Sequence, residues 1–286
     1  MQYRTRGEKL SSILNKNLSV ETQKWYHEKV SQIIEKKSAK DLYLFYSLLR
    51  REIPKDNILV NSLSKEDQEI IHLETINLLE LSRIVVLIKI LLADESFFSS
   101  KVSKLIEVAD TSELEAFLKY LVYIPNPSTY RNVGVEALRT NIETIFCAIA
   151  LNNPYPSTYF NDQQWNQMYL KAAFMQLDLS KIHDIDKRAN RDLTRIISDY
   201  AHERWAASRK IDPYFWRPVS GFMEAIVLED MRHLLQSEDK AENYAAALCC
   251  LYSESPDALE LLDNYPEIKK EITSKSISWN NLKTVL

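Results

Sequence analysis

Glycine is nearly absent from this chain: only Gly7, Gly134 and Gly221 occur in 286 residues, against an average usage of about 7%. Glycine supplies the positive φ angles of tight hairpins and of phosphate-cradling loops. A sequence this poor in it is not built for a β-hairpin fold, a dinucleotide-binding fold or a P-loop. Helices need no glycine in their interiors. The prediction is therefore an all-α protein, and 286 residues with 45% hydrophobic side chains are ample for one substantial core. The formal net charge is −4, with both signs mixed along the chain. A dedicated nucleic-acid binder would need a basic face to neutralise phosphates, so no nucleic-acid partner is expected.

The three cysteines lack metal-site and disulfide spacing. Cys147 falls in an apolar helical stretch, and Cys249 and Cys250 are adjacent. They fit a reducing compartment. Residues 1–18 are polar and charged, without the apolar centre of a secretory signal. The most apolar run, residues 84–93, is interrupted by Lys89 and falls well short of the roughly 20 residues needed to span a bilayer. A cytoplasmic protein that does not itself cross the membrane is expected.

Periodicity near 3.6 runs through most of the chain. A first clear helix is predicted over residues 19–36. Ser38 with Asp41, and Ser64 with Asp67, each resemble the start of a capping box. The helix opened by Ser64 is expected to continue through Leu78, Leu81, Val85, Ile88 and Leu92. It is apolar nearly all round, which places it at the centre of a helical protein. Thr111 or Ser112 is expected to cap the next helix. A stripe from Val135 to Ile149 reads as another, broken at Asn153-Pro154-Tyr155-Pro156. Further helices are predicted near 162–176, 189–210, 218–236, 240–253, 256–264 and 266–274. The small residues Ala245, Ala246 and Ala247 suit close packing of helix pairs. The expected architecture is one all-α domain over residues 1–286, with antiparallel helices stacked as an α-solenoid-like superhelix.

Residues 121–219 carry the most information. Three of the five tryptophans, Trp165, Trp205 and Trp216, lie there. On a helix turning by about 100° per residue, Leu193, Ile196, Ile197, Tyr200 and Ala201 share an apolar face, and Arg204 lands in its middle. Asp199 and Glu203 flank that face, while Arg195, His202 and Arg209 lie opposite. A guanidinium on a buried stripe needs a strong acceptor. Glu136 or Glu143, on one side of their own helix with Arg139, are candidates. Two readings suit such an arginine: it holds an anionic ligand, or it belongs to an internal salt-bridge network that braces packed helices.

Lys171, in a narrow polar strip with Gln167, is a second departure from a plain core helix. It reads either as an anion-binding or low-pKa amine, or as a side chain whose stem packs while its head reaches water. Asp199-x-x-His202 and Asp230-x-x-His233 each set a carboxylate and an imidazole one turn apart, as in di-metal helical proteins. The pattern is short and arises by chance in acidic helices, so no metal and no cofactor are expected. No serine occupies a glycine-flanked elbow, and the cysteines have no histidine close in sequence.

Longer strings in the same region resemble the EboA family. Ala148-Ile149-Ala150-Leu151-Asn152-Asn153-Pro154-Tyr155-Pro156 is similar to its A-x-A-x-x-N-P-Y-P passage. Trp165-Asn166-Gln167-Met168 with Leu170-Lys171-Ala172 is similar to its WNQM-x-LKA helix. Asp186 with Arg188-Ala189-Asn190 resembles its D-x-RAN turn. The run from Asp199 through Ala207, then Arg209, resembles its DYAHERWAA-x-R helix, and Trp216-Arg217 its following WR. Glu136 and Arg139 match an upstream E-x-x-R. Ser208 departs from the pattern, where a glycine is usual, and Pro218 stands where an aliphatic residue is more typical.

The resemblance implies a family-like core over residues 121–219. It also implies a cytoplasmic accessory protein of a secondary-metabolite gene cluster. Such proteins are encoded beside a prenyltransferase-like membrane protein and a TatD-like hydrolase, in clusters associated with moving a pigment precursor out of the cytoplasm. The implied partners are a small metabolite and the prenyltransferase-like membrane protein, and no reaction is assigned to the family. The matched residues are the candidate ligand-binding set: Glu136, Arg139, Trp165, Asn166, Gln167, Lys171, Asp199, His202, Glu203, Arg204, Trp205, Arg209, Trp216 and Arg217. Two alternatives stand beside a binding role. One is an enzyme acting on an isoprenoid or aromatic intermediate, with His202, Glu203 and Arg204 as its candidates. The other is a purely structural helical scaffold.

Overall fold

The structure, a computed structural model, describes residues 2–285, with side chains over residues 5–284. It is mostly helical and divides into two compact units, Met1–Tyr159 and Phe160–Leu286.

The first unit runs α1 (Gln2–Lys16), α2 (Val20–Lys36), α3 (Ala39–Glu52), β1 (Asn57–Leu59), α4 (Lys65–Gln68), β2 (Thr75–Asn77), α5 (Leu78–Ala93), α6 (Glu95–Glu107), α7 (Thr111–Lys119), α8 (Arg131–Arg139), α9 (Glu143–Ala150) and α10 (Tyr155–Tyr159). Its centre is α5. Leu81, Ile84, Val85, Leu87 and Ile88 are all buried, and α1, α2, α3, α6 and α7 pack around it. That is the arrangement expected of a helix apolar on every side. Gly7 lets α1 come close, since a Cβ there would stand 2.7 Å from Ile88 Cγ2.

The helix expected from Ser64 through Leu92 is three elements. Ser64 caps only α4. The chain then extends, and β2 pairs antiparallel with β1, Ile58 opposite Ile76. Asn77 restarts the helix by accepting from the backbone N–H groups of Leu79 and Glu80, at 3.1 and 3.2 Å. The stripe over residues 135–149 is likewise split into α8 and α9. The cap of α7 is Asp110, in a capping box with Glu113, rather than Thr111 or Ser112. The Asn-Pro-Tyr-Pro passage is a structural joint. Buried Asn153 donates to the Leu118 and Ala148 carbonyls, each at 2.9 Å, and accepts from Tyr155 N–H.

The second unit runs α11 (Asp162–Phe174), α12 (Ile185–Arg188), α13 (Arg191–Ala206), a 3-10 segment (Pro213–Gly221), α14 (Ala225–Leu235), α15 (Lys240–Leu251), α16 (Pro256–Asp263), α17 (Pro266–Ser274) and α18 (Leu282–Val285). Its core is α15, where Ala245 to Cys250 are all buried and which packs on α14, α16, α17 and the 3-10 segment. The three alanines allow that close approach. Pro218 lies inside the 3-10 segment rather than opening a helix. The helix expected to reach residue 210 ends at Ala206, and Ser208 adopts φ 53°. This is the left-handed conformation that normally selects glycine, and it accounts for the glycine usual there in the resembling pattern.

Candidate functional site

The 3-10 segment from Pro213 to Gly221 is the base of the site. Asp212 caps it, accepting from Tyr214 N–H at 2.9 Å, and Pro213 fits its first position. Tyr214, Phe215, Trp216, Pro218 and Val219 are buried. Its carbonyls are held from below: Tyr169 donates its hydroxyl to Tyr214 O at 3.0 Å, and the Cys249 thiol reaches Trp216 O at 3.3 Å. A segment anchored so firmly on its apolar side fixes the direction of Arg217 on the other.

Arg217 makes a two-point ion pair with Asp186 of α12, Nε to Oδ1 at 2.8 Å and Nη2 to Oδ2 at 2.6 Å. This parallel fork is the strongest common form of an arginine–carboxylate contact. Burial works against the charge of Arg217, but Asp186 outweighs it, and the guanidinium is held more firmly protonated than usual. The pair stands on the wall of a hollow of about 580 Å³, which Ser220, Phe222, Tyr252 and Trp279 also line. Its size lies within the roughly 300–1,000 Å³ of small-molecule sites. One side offers guanidinium N–H donors beyond the two spent on Asp186, and the other offers aromatic faces.

A second hollow of about 470 Å³ is lined by Tyr200, Arg204, Lys210, Asp212 and Lys283. Arg204 is not on a buried stripe: it is half-buried, and its Nε and Nη2 both donate to the Lys210 carbonyl, at 3.2 and 2.6 Å. The physical reason is the early end of α13, which leaves Arg204 in the last turn, where a cation meets the unpaired carbonyls beyond a helix terminus.

His202 is tied to buried Asp230 of α14. The two lie 2.6 Å apart, Nε2 to Oδ1, and Ser198 donates to Oδ2 of the same carboxylate at 2.6 Å. Trp205 stacks on Trp216 with centroids 5.6 Å apart, and the His233 ring packs against Trp205 itself, with centroids 4.3 Å apart. Asp199, Glu203, Arg209 and Gln167 are exposed. Among the described residues no group of three His, Cys, Asp or Glu side chains is arranged to hold a metal.

Trp165 and Asn166 are buried in α11. The Arg188 guanidinium lies 5.0 Å from the Trp165 ring centroid and pairs with Asp162 at 3.0 Å. Asn166 and Asn190 bond each other through their amides. Lys171 is half-buried, and burial lowers its pKa. In the first unit, Glu136 and Arg139 pair at 2.7 Å on the exposed face of α8.

Arg217 and Trp216 belong to the candidate set that the sequence offers, and Asp186 stands outside it, as part of a motif string only. The sequence has no signal for Phe222, Tyr252 or Trp279, which converge from three separate segments. Asp230 was visible within its D-x-x-H pair, but its buried role with Ser198 and His202 was not.

The family profile described as "Metabolite traffic protein EboA" matches residues 7–220. No curated protein and no solved structure matches the chain. The matched stretch includes the Asp186–Arg217 wall of the larger hollow, while Phe222, Tyr252 and Trp279 follow it. Spanning well over half of the sequence, this match shows that the chain belongs to the EboA family.

Proposed function

We propose that this chain is a binding protein for a small metabolite, held in the hollow beside Arg217 and passed on without chemical change. One observation carries the reading: a ligand-sized hollow sets a charged arginine, fixed by Asp186, against the aromatic side chains Phe222, Tyr252 and Trp279. A molecule with a planar or apolar body and an anionic or strongly accepting end fits both walls. The family description supports metabolite handling. The resemblance supports the finer steps of this proposal: work in the cytoplasm for a secondary-metabolite gene cluster, and hand-over for export to a prenyltransferase-like membrane protein. No helix among the described residues is long and apolar enough to cross a membrane. We read the successive packing of α14, α15, α16 and α17 as solenoid-like stacking that supports one side of the hollow.

Binding is favoured over catalysis by where the acid–base groups sit. His202 and Glu203 line neither of the two hollows described in this unit. Native mass spectrometry of gently purified protein, compared with the same sample denatured, tests the proposal together with Arg217→Ala and Trp279→Ala. The expected result is a bound organic mass on the parent chain that denaturation releases and that both substitutions remove from folded protein. A bare polypeptide mass for the parent, or a bound mass retained by both variants, overturns it.

A further inference from the structure

The first unit has its own hollow, of about 400 Å³, along the groove between α1 and α5. Gly7 brings the two helices together at one end. Ser11, Ser12 and Asn15 line the α1 side, and Ile88, Lys89 and Leu92 the α5 side.

Lys89 is the unusual member. It is half-buried. Its ammonium donates to His27 Nδ1 at 3.2 Å and lies 5.9 Å from the Tyr26 ring centroid. Neither contact supplies a negative charge, and no carboxylate among the described residues forms an ion pair with it. An imidazole nitrogen that accepts from an ammonium carries no proton. His27 is therefore neutral, its hydrogen on Nε2, which donates to Asn15 Oδ1 at 3.1 Å. The Tyr26 hydroxyl is already committed to the Ser82 carbonyl at 2.7 Å. Burial lowers the pKa of both Lys89 and His27, and the Lys89 charge lowers that of His27 further.

A cation partly removed from water with no counter-charge is unfavourable, and a bound anion relieves that cost. The lining holds Lys16 and Lys89 against Glu8, a net charge of one positive unit, which balances a monoanion and not a phosphate dianion. Two serine hydroxyls add donors, while Ile88 and Leu92 offer an apolar strip. We propose that the groove between α1 and α5 is a second binding site, for a small amphiphilic monocarboxylate. Its carboxylate pairs with Lys89, and its hydrocarbon part lies on Ile88 and Leu92. This site is separate from the hollow at Arg217 and does not depend on it.

The test uses the full chain, with octanoate as the probe and octanamide as its uncharged match. The readout is the His27 ring resonances in a long-range proton–nitrogen spectrum, assigned with His27→Gln. Octanoate is expected to shift those signals saturably and octanamide to leave them in place. Lys89→Met is expected to abolish the octanoate shift while thermal unfolding stays cooperative, and Arg217→Ala is expected to keep it. Lys89→Gln serves if Lys89→Met does not fold, and the octanoate–octanamide contrast on the parent chain stands without either variant. No saturable shift, an equal response to octanamide, or a shift that survives loss of the Lys89 charge overturns the proposal.

Discussion

The side-chain amides of Asn166 and Asn190 hold each other in both directions, Asn166 Nδ2 donating to Asn190 Oδ1 at 3.1 Å and Asn190 Nδ2 to Asn166 Oδ1 at 2.9 Å. Asn190 also caps α13 by accepting from Leu193 N–H at 2.9 Å, and it donates to the Arg188 carbonyl at 3.0 Å. One amide thus ties α11, the turn after α12 and the start of α13. Leaving a buried amide unpaired costs about 1–3 kcal/mol, and losing an asparagine cap costs about 1 kcal/mol more. Asn190→Ala is expected to destabilise the chain more than Asn166→Ala. In urea unfolding, the double variant should lose less than the sum of the two. Strict additivity would show that the pair is not a coupled unit.

His202 and Ser198 share one buried acceptor. Asp230 is 2% exposed and takes both hydrogen bonds, at 2.6 Å each. His202→Ala leaves the carboxylate with Ser198 alone, and about 1–3 kcal/mol of stability should be lost. Asp230→Asn in the same background removes the buried charge and should recover part of that loss. A recovery measured by chemical denaturation identifies a structural pin between α13 and α14. If His202→Ala leaves stability unchanged, Asp230 has found another partner.

Ser208, at φ 53°, closes α13: its N–H bonds Trp205 O and the Arg209 N–H bonds Arg204 O, each at 2.9 Å. The Arg204 side chain wraps the same turn through the Lys210 carbonyl. A left-handed residue with a Cβ is strained by about 1–2 kcal/mol, so Ser208→Gly is expected to stabilise the protein by up to about 1 kcal/mol after its entropic cost. Arg204→Ala should act oppositely and locally, speeding hydrogen exchange of the Lys210 and Ile211 amides. Unchanged exchange there would remove Arg204 from the support of this turn.

These contacts show what was legible beforehand. Burial of α5 followed from its apolar spacing, because a helix with no polar face has one stable place. The β1–β2 ribbon did not follow: Ile70, Ile71 and Ile76 continue the helical spacing, and only pairing with residues far along the chain makes 75–77 a strand. Arg204 was misplaced for a related reason. The wheel fixes direction around an axis but not where the axis ends, and α13 stops at Ala206. Arg217 and Asp186 stand out only through strings that resemble those of the family, not through helical spacing. Phe222, Tyr252 and Trp279 belong to no shared period, so only the folded chain brings them to one hollow.

Acid should loosen two helix junctions in a defined window. Glu271 of α17 accepts from Lys275 at 2.6 Å and from Lys240 of α15 at 3.2 Å. Lys275 first, then Lys240 and Tyr244, pull its pKa from 4.5 down to about 2. Asp94, capping α6 and paired with Lys37, is brought from 3.8 to about 2 in the same way, by Lys37 first. Because both folded values lie below the unfolded ones, their stabilisation is fully present above the unfolded values. It is lost as pH falls through about 2. The melting temperature of Glu271→Gln should therefore decline less than that of the parent chain between those limits. Parallel acid limbs for the two proteins would contradict the assignment.

Gly7 offers the sharpest test of packing in the first unit. An alanine at an ordinary interior position gains about 1 kcal/mol over glycine in a helix. Here the new methyl would meet Ile88 Cγ2 at 2.7 Å, with Leu92 Cδ1 at 3.7 Å beside it, and Ile88 is β-branched and buried. Overpacking of this kind costs about 1–3 kcal/mol and outweighs the propensity gain. Gly7→Ala is therefore expected to be destabilising, whereas a propensity argument alone gives the opposite sign. Ile88→Ala removes the obstructing methyl, so the double variant should be less unstable than the two single effects combined. Urea unfolding of the four proteins reads the coupling directly. If Gly7→Ala stabilises the chain, α1 does not lie against α5 as closely as the 2.7 Å approach requires.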